Sequence, residues 1–68
     1  MKNIKLIRVI NDYTQLKIQM ETGIPQSMIS KYETGENDIP TSILIQLSRF
    51  YEVSIDYLLG ETNNPKRN

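Results

Sequence analysis

Apolar residues lie three or four positions apart along much of this chain, in short segments that Gly, Pro and polar residues separate. Such spacing places the apolar side chains on one face of an α-helix. The pattern is clearest after Pro40, where the apolar positions follow a period of about 3.6 residues and predict a helix. These positions are Ile43, Leu44, Leu47, Phe50 and Tyr51.

The first apolar segment, from Ile4 to Ile10, fits two structures. Its β-branched residues are typical of a strand. As a helix it would carry Ile4 and Ile7 on one face. Leu6, Val9 and Ile10 would form a second apolar band, so most of the circumference would be apolar, as expected at the centre of a small bundle. We favour the helix.

Two short helices follow, joined by a tight turn. Thr14 offers a hydroxyl as the N-cap of a helix from Gln15 to Thr22, and Gly23 stands where a left-handed residue closes a helix. Pro25 is tolerated as the first residue of the next helix, which would end at Gly35. Helices of about two turns are too short to be stable alone, so the two must pack on each other.

The last apolar residues predict one more short helix. Ser54 is suited to cap a helix from Ile55 to Leu59, and Asp56 in its first turn complements the helix dipole. We therefore predict an all-α fold, a compact bundle of five short helices that forms one domain over residues 1–60. Residues 61–68 should form a polar, flexible C-terminal tail. The core should include Ile7, Ile18, Ile29, Leu44, Leu47 and Leu58.

Composition excludes several kinds of active site. The chain has no His and no Cys, which removes imidazole acid–base chemistry, thiol nucleophiles, thiolate zinc sites and disulfides. The remaining ionisable residues show no paired arrangement, and 68 residues leave little material to wall a deep pocket. We therefore expect a protein that is not an enzyme and has no cofactor, metal or small-molecule ligand.

Charge and hydropathy limit the partners. The eight basic and eight acidic residues balance, which argues against indiscriminate nucleic-acid binding. The first half of the chain is nevertheless net positive, and residues 36–65 are net negative. No apolar run approaches the ~18 residues of a membrane span, and the N-terminus lacks the pattern of a signal peptide. We expect a cytoplasmic protein with no membrane partner.

The helix, glycine turn and helix are the most informative pattern. Two short helices joined by a tight turn have one well-known use, which is to present the second helix to the DNA major groove. Counted from Gln15, Gly23 is the ninth residue. Ile24, Ile29 and Tyr32 would then clamp the two helices at a steep angle and leave the outer face of the second helix free.

In this register the chain resembles the Cro/repressor helix-turn-helix family, the Xre-type regulators, from Ile4 to Gly60. The residues that carry the resemblance are Ile7-Arg8, Thr14-Gln15, Gly23-Ile24, Ile29-Ser30-Lys31-Tyr32-Glu33-Thr34-Gly35, Leu44, Leu47 and Val53-Ser54-Ile55-Asp56-Tyr57-Leu58-Leu59-Gly60. Each motif is weak alone, but together they are specific. The resemblance implies a lambda-repressor-like DNA-binding domain.

The chain departs from the family pattern at the turn and in the loop after it. Gln19 stands where the family usually has a small alanine, and Thr22 stands where it usually has a large aliphatic residue. Met20 is expected to fill the missing volume, because its side chain adapts to irregular gaps. The loop after the second helix, often basic in the family, here carries Glu36 and Asp38.

The resemblance assigns DNA contacts to two sets of residues. Bases would be read by Gln26, Ser27, Ser30 and Lys31. Phosphates would be contacted by Thr14, Gln15, Lys17 and Asn37. The alternative for the base-reading set is an exposed polar helix face that is only solvated, but the register of the motif favours DNA contact. The alternative for Thr14 and Gln15 is that they are simple helix caps, a role that is compatible with phosphate contact.

Arg8 and Glu33 have a different expected role. By resemblance they form an ion pair across the domain, which would orient the second helix of the motif without touching bases. The alternative is a pair of independent surface charges, which would contribute little to stability.

These observations predict a bacterial or prophage transcriptional regulator that binds a specific double-stranded DNA operator as a homodimer, most simply as a repressor. Exposed apolar residues of the last helix would form the dimer interface, namely Ile55, Tyr57 and Leu59. Prophage, restriction-modification and antitoxin settings all fit. The alternative is a helix-turn-helix protein-interaction module, an antirepressor or adaptor with little DNA binding, which the neutral charge and acidic loop favour.

Overall fold

The helices follow one another as the sequence predicts. A computed structural model describes residues 3–66 of the chain. Within this range five helices form, and their order is α1 (Ile4–Ile10), α2 (Gln15–Thr22), α3 (Gln26–Thr34), α4 (Thr41–Tyr51) and α5 (Ile55–Leu58). The described residues contain no strand, so the prediction of an all-α fold is confirmed.

Local capping fixes where α2 and α5 begin and end. The Thr14 hydroxyl accepts a hydrogen bond from the Lys17 N–H at 3.0 Å. The Ser54 hydroxyl accepts one from the Tyr57 N–H at 3.0 Å, so both predicted N-caps are present. Gly23 ends α2 with a left-handed φ of 79°. A Cβ added there would meet nothing within 4 Å, so the backbone conformation and not the available space requires glycine.

Two predicted boundaries differ by one residue from the structure. Pro25 has a φ of −57° and precedes α3 as its N-cap, whereas we predicted it as the first helical residue. Its carbonyl instead accepts the Ile29 N–H at 3.0 Å. Helix α5 ends at Leu58, one residue before the predicted end. Leu59 follows as the C-cap, with its N–H bonded to the Ile55 carbonyl at 3.0 Å.

Helix α1 is not surrounded by the bundle. Ile4 and Ile7 are buried in the core, as one face of the predicted helix requires. The second band faces solvent, with exposed fractions of 50% for Leu6, 52% for Val9 and 64% for Ile10. The helix prediction is therefore confirmed, but the central position predicted for α1 is wrong, because a bundle this small covers only one of the two apolar faces.

The core draws at least one residue from every helix. Ile18 and Leu58 are its most completely buried side chains, exposed by 1% and 0%. Burying an aliphatic side chain of this size contributes about 1.5–3 kcal/mol to folding. All six predicted core residues are buried, and the core also contains Ile4, Ile24 and Tyr32. Together they hold α2 and α3 in a fixed relative position.

Backbone hydrogen bonds connect the two ends of the described chain to α5. The Asn3 N–H donates to the Leu58 carbonyl at 3.0 Å, and the Ser54 N–H donates to the Pro65 carbonyl at 2.9 Å. Glu61 and Pro65 of the expected flexible tail thus hydrogen-bond to the domain, whereas residues 67 and 68 lie outside the described residues. No helix within residues 3–66 is long and apolar enough to cross a bilayer.

Candidate DNA-binding surface

Polar side chains fix the turn between α2 and α3. Gln19 Oε1 accepts a hydrogen bond from the Gln26 N–H at 2.7 Å, and so satisfies a donor at the start of α3 that the proline N-cap leaves open. The Thr22 hydroxyl donates to the Ile18 carbonyl at 2.6 Å and accepts from the Ile24 N–H at 3.2 Å. Both departures from the family pattern therefore stabilise the turn by hydrogen bonding.

Helix α4 supports the same turn from the other side. Gln46 Nε2 donates to the Thr22 carbonyl at 2.6 Å. Met20, which we expected to fill the volume near this turn, is 75% exposed, so that prediction is wrong. The polar contacts of Gln19, Thr22 and Gln46 take the place of apolar filling at this turn. Sequence reasoning missed the contacts of Gln19 and Gln46 because the fold brings their partners together, and it also missed the two hydrogen bonds of the Thr22 hydroxyl, which are local.

The outer face of α3 is largely exposed, and its polar side chains have no partners within the described part of the protein. Gln26, Ser27 and Lys31 are exposed and Ser30 is half-buried, while Ile29 and Tyr32 point into the core. Within residues 3–66, none of the four outer side chains makes a hydrogen bond or an ion pair. The structure thus places the expected base-reading residues on one surface, with amide, hydroxyl and ammonium groups open to a ligand.

Arg8 and Glu33 form a two-point ion pair between α1 and α3. Arg8 Nε lies 2.7 Å from Glu33 Oε2, and Arg8 Nη2 donates to Glu33 Oε1 at 3.0 Å. The two side chains are only 13% and 3% exposed. The hydrogen bond to Glu33 raises the pKa of Arg8 above its ordinary value. The pair is therefore a largely buried structural contact and not two independent surface charges.

The same carboxylate also holds the start of α2. Gln15 Nε2 donates to Glu33 Oε1 at 3.1 Å, and Arg8 Nη1 donates to the Tyr13 carbonyl at 2.9 Å. Glu33 thus links α1, α2 and α3. The Gln15 amide, which we expected to contact a phosphate, donates within the protein in this structure, and its phosphate contact stays a prediction.

The other expected phosphate contacts lie at the start of α2 and in the loop after α3. Thr14 caps α2, and Lys17 in the first turn of α2 forms an exposed ion pair with Glu21 at 2.9 Å. The hydrogen bond to Glu21 raises the pKa of Lys17. Asn37 lies in the loop after α3, where its N–H donates to the Lys31 carbonyl at 3.2 Å. Their contacts with DNA stay predictions.

The residues expected at a dimer interface are only partly exposed. Ile55, Tyr57 and Leu59 are each half-buried. The largest exposures of apolar side chains in residues 3–66 occur instead on α1 and α2. Those residues are Leu6, Val9, Ile10, Leu16 and Met20.

Within residues 3–66, no group of three or more acidic side chains is placed to hold a metal ion.

The fold and the fixed turn define a helix-turn-helix domain. Helices α2 and α3 are joined through Gly23, α3 presents a polar face to solvent, and the remaining helices support this pair. The chain belongs to the helix-turn-helix family, whose model matches residues 4–58. The resemblance to this family that the sequence motifs indicated is confirmed.

Curated relatives align with nearly all of this chain. It is 37% identical over 67 residues to "HTH-type transcriptional regulator ImmR" of Bacillus subtilis (strain 168), covering 98% of this chain and 53% of that protein. It is 31% identical over 64 residues to "Uncharacterized HTH-type transcriptional regulator YobD" of the same organism, covering 94% and 57%.

A third relative carries a different description. The chain is 33% identical over 60 residues to "Antitoxin PezA" of Streptococcus pneumoniae serotype 4, covering 88% of this chain and 38% of that protein. The chain thus spans about half the length of the two regulators and less of the antitoxin. No solved structure shows significant similarity to this chain.

Proposed function

We propose that this protein regulates transcription by binding a specific sequence of double-stranded DNA, with α3 as its recognition helix. The observation that carries the proposal is the outer face of α3, where polar side chains are open to a ligand while the α2–α3 turn behind them is fixed. Family membership and the names of the two regulators support it.

The chemistry of the face suits base edges in the major groove. The Gln26 amide can pair with adenine through two hydrogen bonds, Lys31 can donate to guanine, and the hydroxyls of Ser27 and Ser30 can reach a base or a phosphate. Gln26 is the first residue of α3, the end that enters the groove in this class of motif. Thr14, Gln15, Lys17 and Asn37 are the proposed phosphate contacts.

The protein acts as a homodimer in this proposal. One recognition helix contacts only a few base pairs, so specificity requires two half-sites about 34 Å apart. The longest dimension of the described chain is 28 Å, so two copies fit side by side at that spacing. Occlusion of RNA polymerase at the operator would make the protein a repressor.

A second candidate is a helix-turn-helix module that binds another protein. The exposed apolar band on α1 and the acidic residues Glu36 and Asp38 after α3 favour it, and one relative is named an antitoxin. Selection from random duplexes, followed by sequencing, separates the two candidates. A symmetric enriched sequence supports the regulator, and failure to enrich any sequence at low salt supports the interaction module.

A further inference from the structure

A second polar surface adjoins the recognition helix on the side of α1. A cleft of about 350 Å³ lies there, and its walls come from α1, α2 and α3. Its lining residues are Lys5, Arg8, Gln15, Ser30, Glu33 and Thr34. Ser30 belongs to the outer face of α3, so the cleft opens beside the proposed base-reading residues. Lys5 has had no role in the function proposed above.

The cleft carries one uncompensated positive charge. The Arg8 and Glu33 charges neutralise each other in the ion pair. Lys5 is exposed, lies one helical turn before Arg8, and has no ion-pair partner within residues 3–66. An anion that enters the cleft therefore meets the Lys5 ammonium without having to displace a carboxylate from it.

Of the two lysines on the helices beside α3, Lys5 on α1 is the one without an ion-pair partner within residues 3–66. Lys17 on α2 is already paired with Glu21. The loop after α3 carries the exposed carboxylate of Glu36 and no basic residue, so it supplies no positive charge to a phosphate. The formal net charge of the protein is zero, so it has no general electrostatic attraction to DNA. Its attraction to phosphates therefore depends on individual basic side chains at the DNA-binding surface.

We infer that this cleft binds one phosphate of the operator backbone, with Lys5 supplying the charge and the Ser30 hydroxyl an additional donor. The inference rests on the proposed function. A phosphate held here would fix the position of α3 along the groove, because Ser30 and the residues that face bases belong to the same rigid helix. Lys5 would thus position the reading residues without reading sequence itself.

The first test removes the charge and measures the salt dependence of binding to a selected operator. Lys5→Gln should reduce the magnitude of the slope of log K against log salt by about one unit. The ratio of the wild-type binding constant to that of Lys5→Gln should therefore fall about 3.5-fold between about 50 and 200 mM salt. The loss should be equal on cognate and mismatched duplexes. Lys5→Arg should restore the slope.

Arg49→Gln is the matched control, because Arg49 is exposed on α4 and likewise has no ion-pair partner within residues 3–66. It removes the same charge from a helix outside the cleft and should leave the slope unchanged. Equal slopes for wild type and Lys5→Gln would overturn the inference while leaving the proposed function intact. Equal losses in both variants would also overturn it, because the effect would then be one of net charge.

The second test locates the phosphate from the DNA side. Operators with a single neutral methylphosphonate in place of one phosphate are titrated with wild type and Lys5→Gln. At one position in each half-site, neutralisation should weaken the wild type but add no further loss to Lys5→Gln. Additive losses at every position would overturn the inference. If wild type binds no duplex at all, the proposed function fails together with this inference.

Discussion

At the scale of single residues, Glu33 connects three of the five helices within residues 3–66. Its carboxylate accepts hydrogen bonds from both Arg8 and Gln15 and is 3% exposed. The sequence motifs predicted the Arg8–Glu33 pair but not the part of Gln15. The second contact requires the start of α2 to lie against α3, and spacing along the chain does not encode that distance.

Arg8→Ala should destabilise the protein strongly, because it leaves the buried Glu33 carboxylate without its partner. The expected cost is about 3–5 kcal/mol, which is comparable with the whole stability of a small domain. Thermal melts followed by circular dichroism would measure it. The double variant Arg8→Met, Glu33→Leu should recover most of the loss because it buries no charge. A melting temperature of Arg8→Ala equal to that of the wild type would contradict a stabilising role of the Arg8–Glu33 ion pair.

At the scale of helices, local signals predicted most of the structure, and non-local contacts account for the exposure of Met20 and the missed role of Gln19. Thr14 and Ser54 are caps that act within three residues, so the sequence reveals them directly. The exposure of Met20 and the hydrogen bond of Gln19 to the Gln26 N–H were not predictable in this way. Both depend on how α2 crosses α3, which is decided by tertiary packing.

Gln19→Ala tests the turn between these helices. Alanine is the residue that the family usually has there, but here it would remove the acceptor of the Gln26 N–H. We expect a loss of about 1 kcal/mol, as for a removed helix cap, and a melting temperature lower by about 4–8 °C. Gln19→Glu keeps an acceptor and places a negative charge at the start of α3, so it should melt near wild type. An unchanged or higher melting temperature for Gln19→Ala would contradict this role.

At the scale of the whole molecule, the proposed dimer requires one apolar surface that joins two copies. Motif resemblance favours α5, whereas the exposed fractions are greatest on α1 and α2. Helix α1 carries apolar residues on two faces, and the sequence pattern does not distinguish between them. The apolar pattern of α1 therefore predicted a helix but could not tell which apolar face the bundle would cover.

We expect two protein chains per operator, joined through α5. Leu59→Glu should then give complexes with one chain per duplex and weaker binding, because it places a charge in the interface. Ile10→Glu is the control on α1, where the side chain is 64% exposed. Sedimentation of the DNA complexes gives the stoichiometry, and circular dichroism verifies the fold of each variant. Single-chain complexes from Ile10→Glu with intact dimers from Leu59→Glu would place the interface on α1.

The claim that α3 reads DNA is tested most directly by titrating Gln26→Ala against the selected operator and its single-base variants. Thr41→Ala is the matched control, since Gln26 and Thr41 are each the first residue of a helix that follows a proline N-cap. We expect Gln26→Ala to lose about 1–3 kcal/mol of binding free energy and to relax preference at one base pair per half-site, and Thr41→Ala to keep the base preference of the wild type. Unchanged affinity and base preference in Gln26→Ala would contradict the assignment of α3 as the recognition helix.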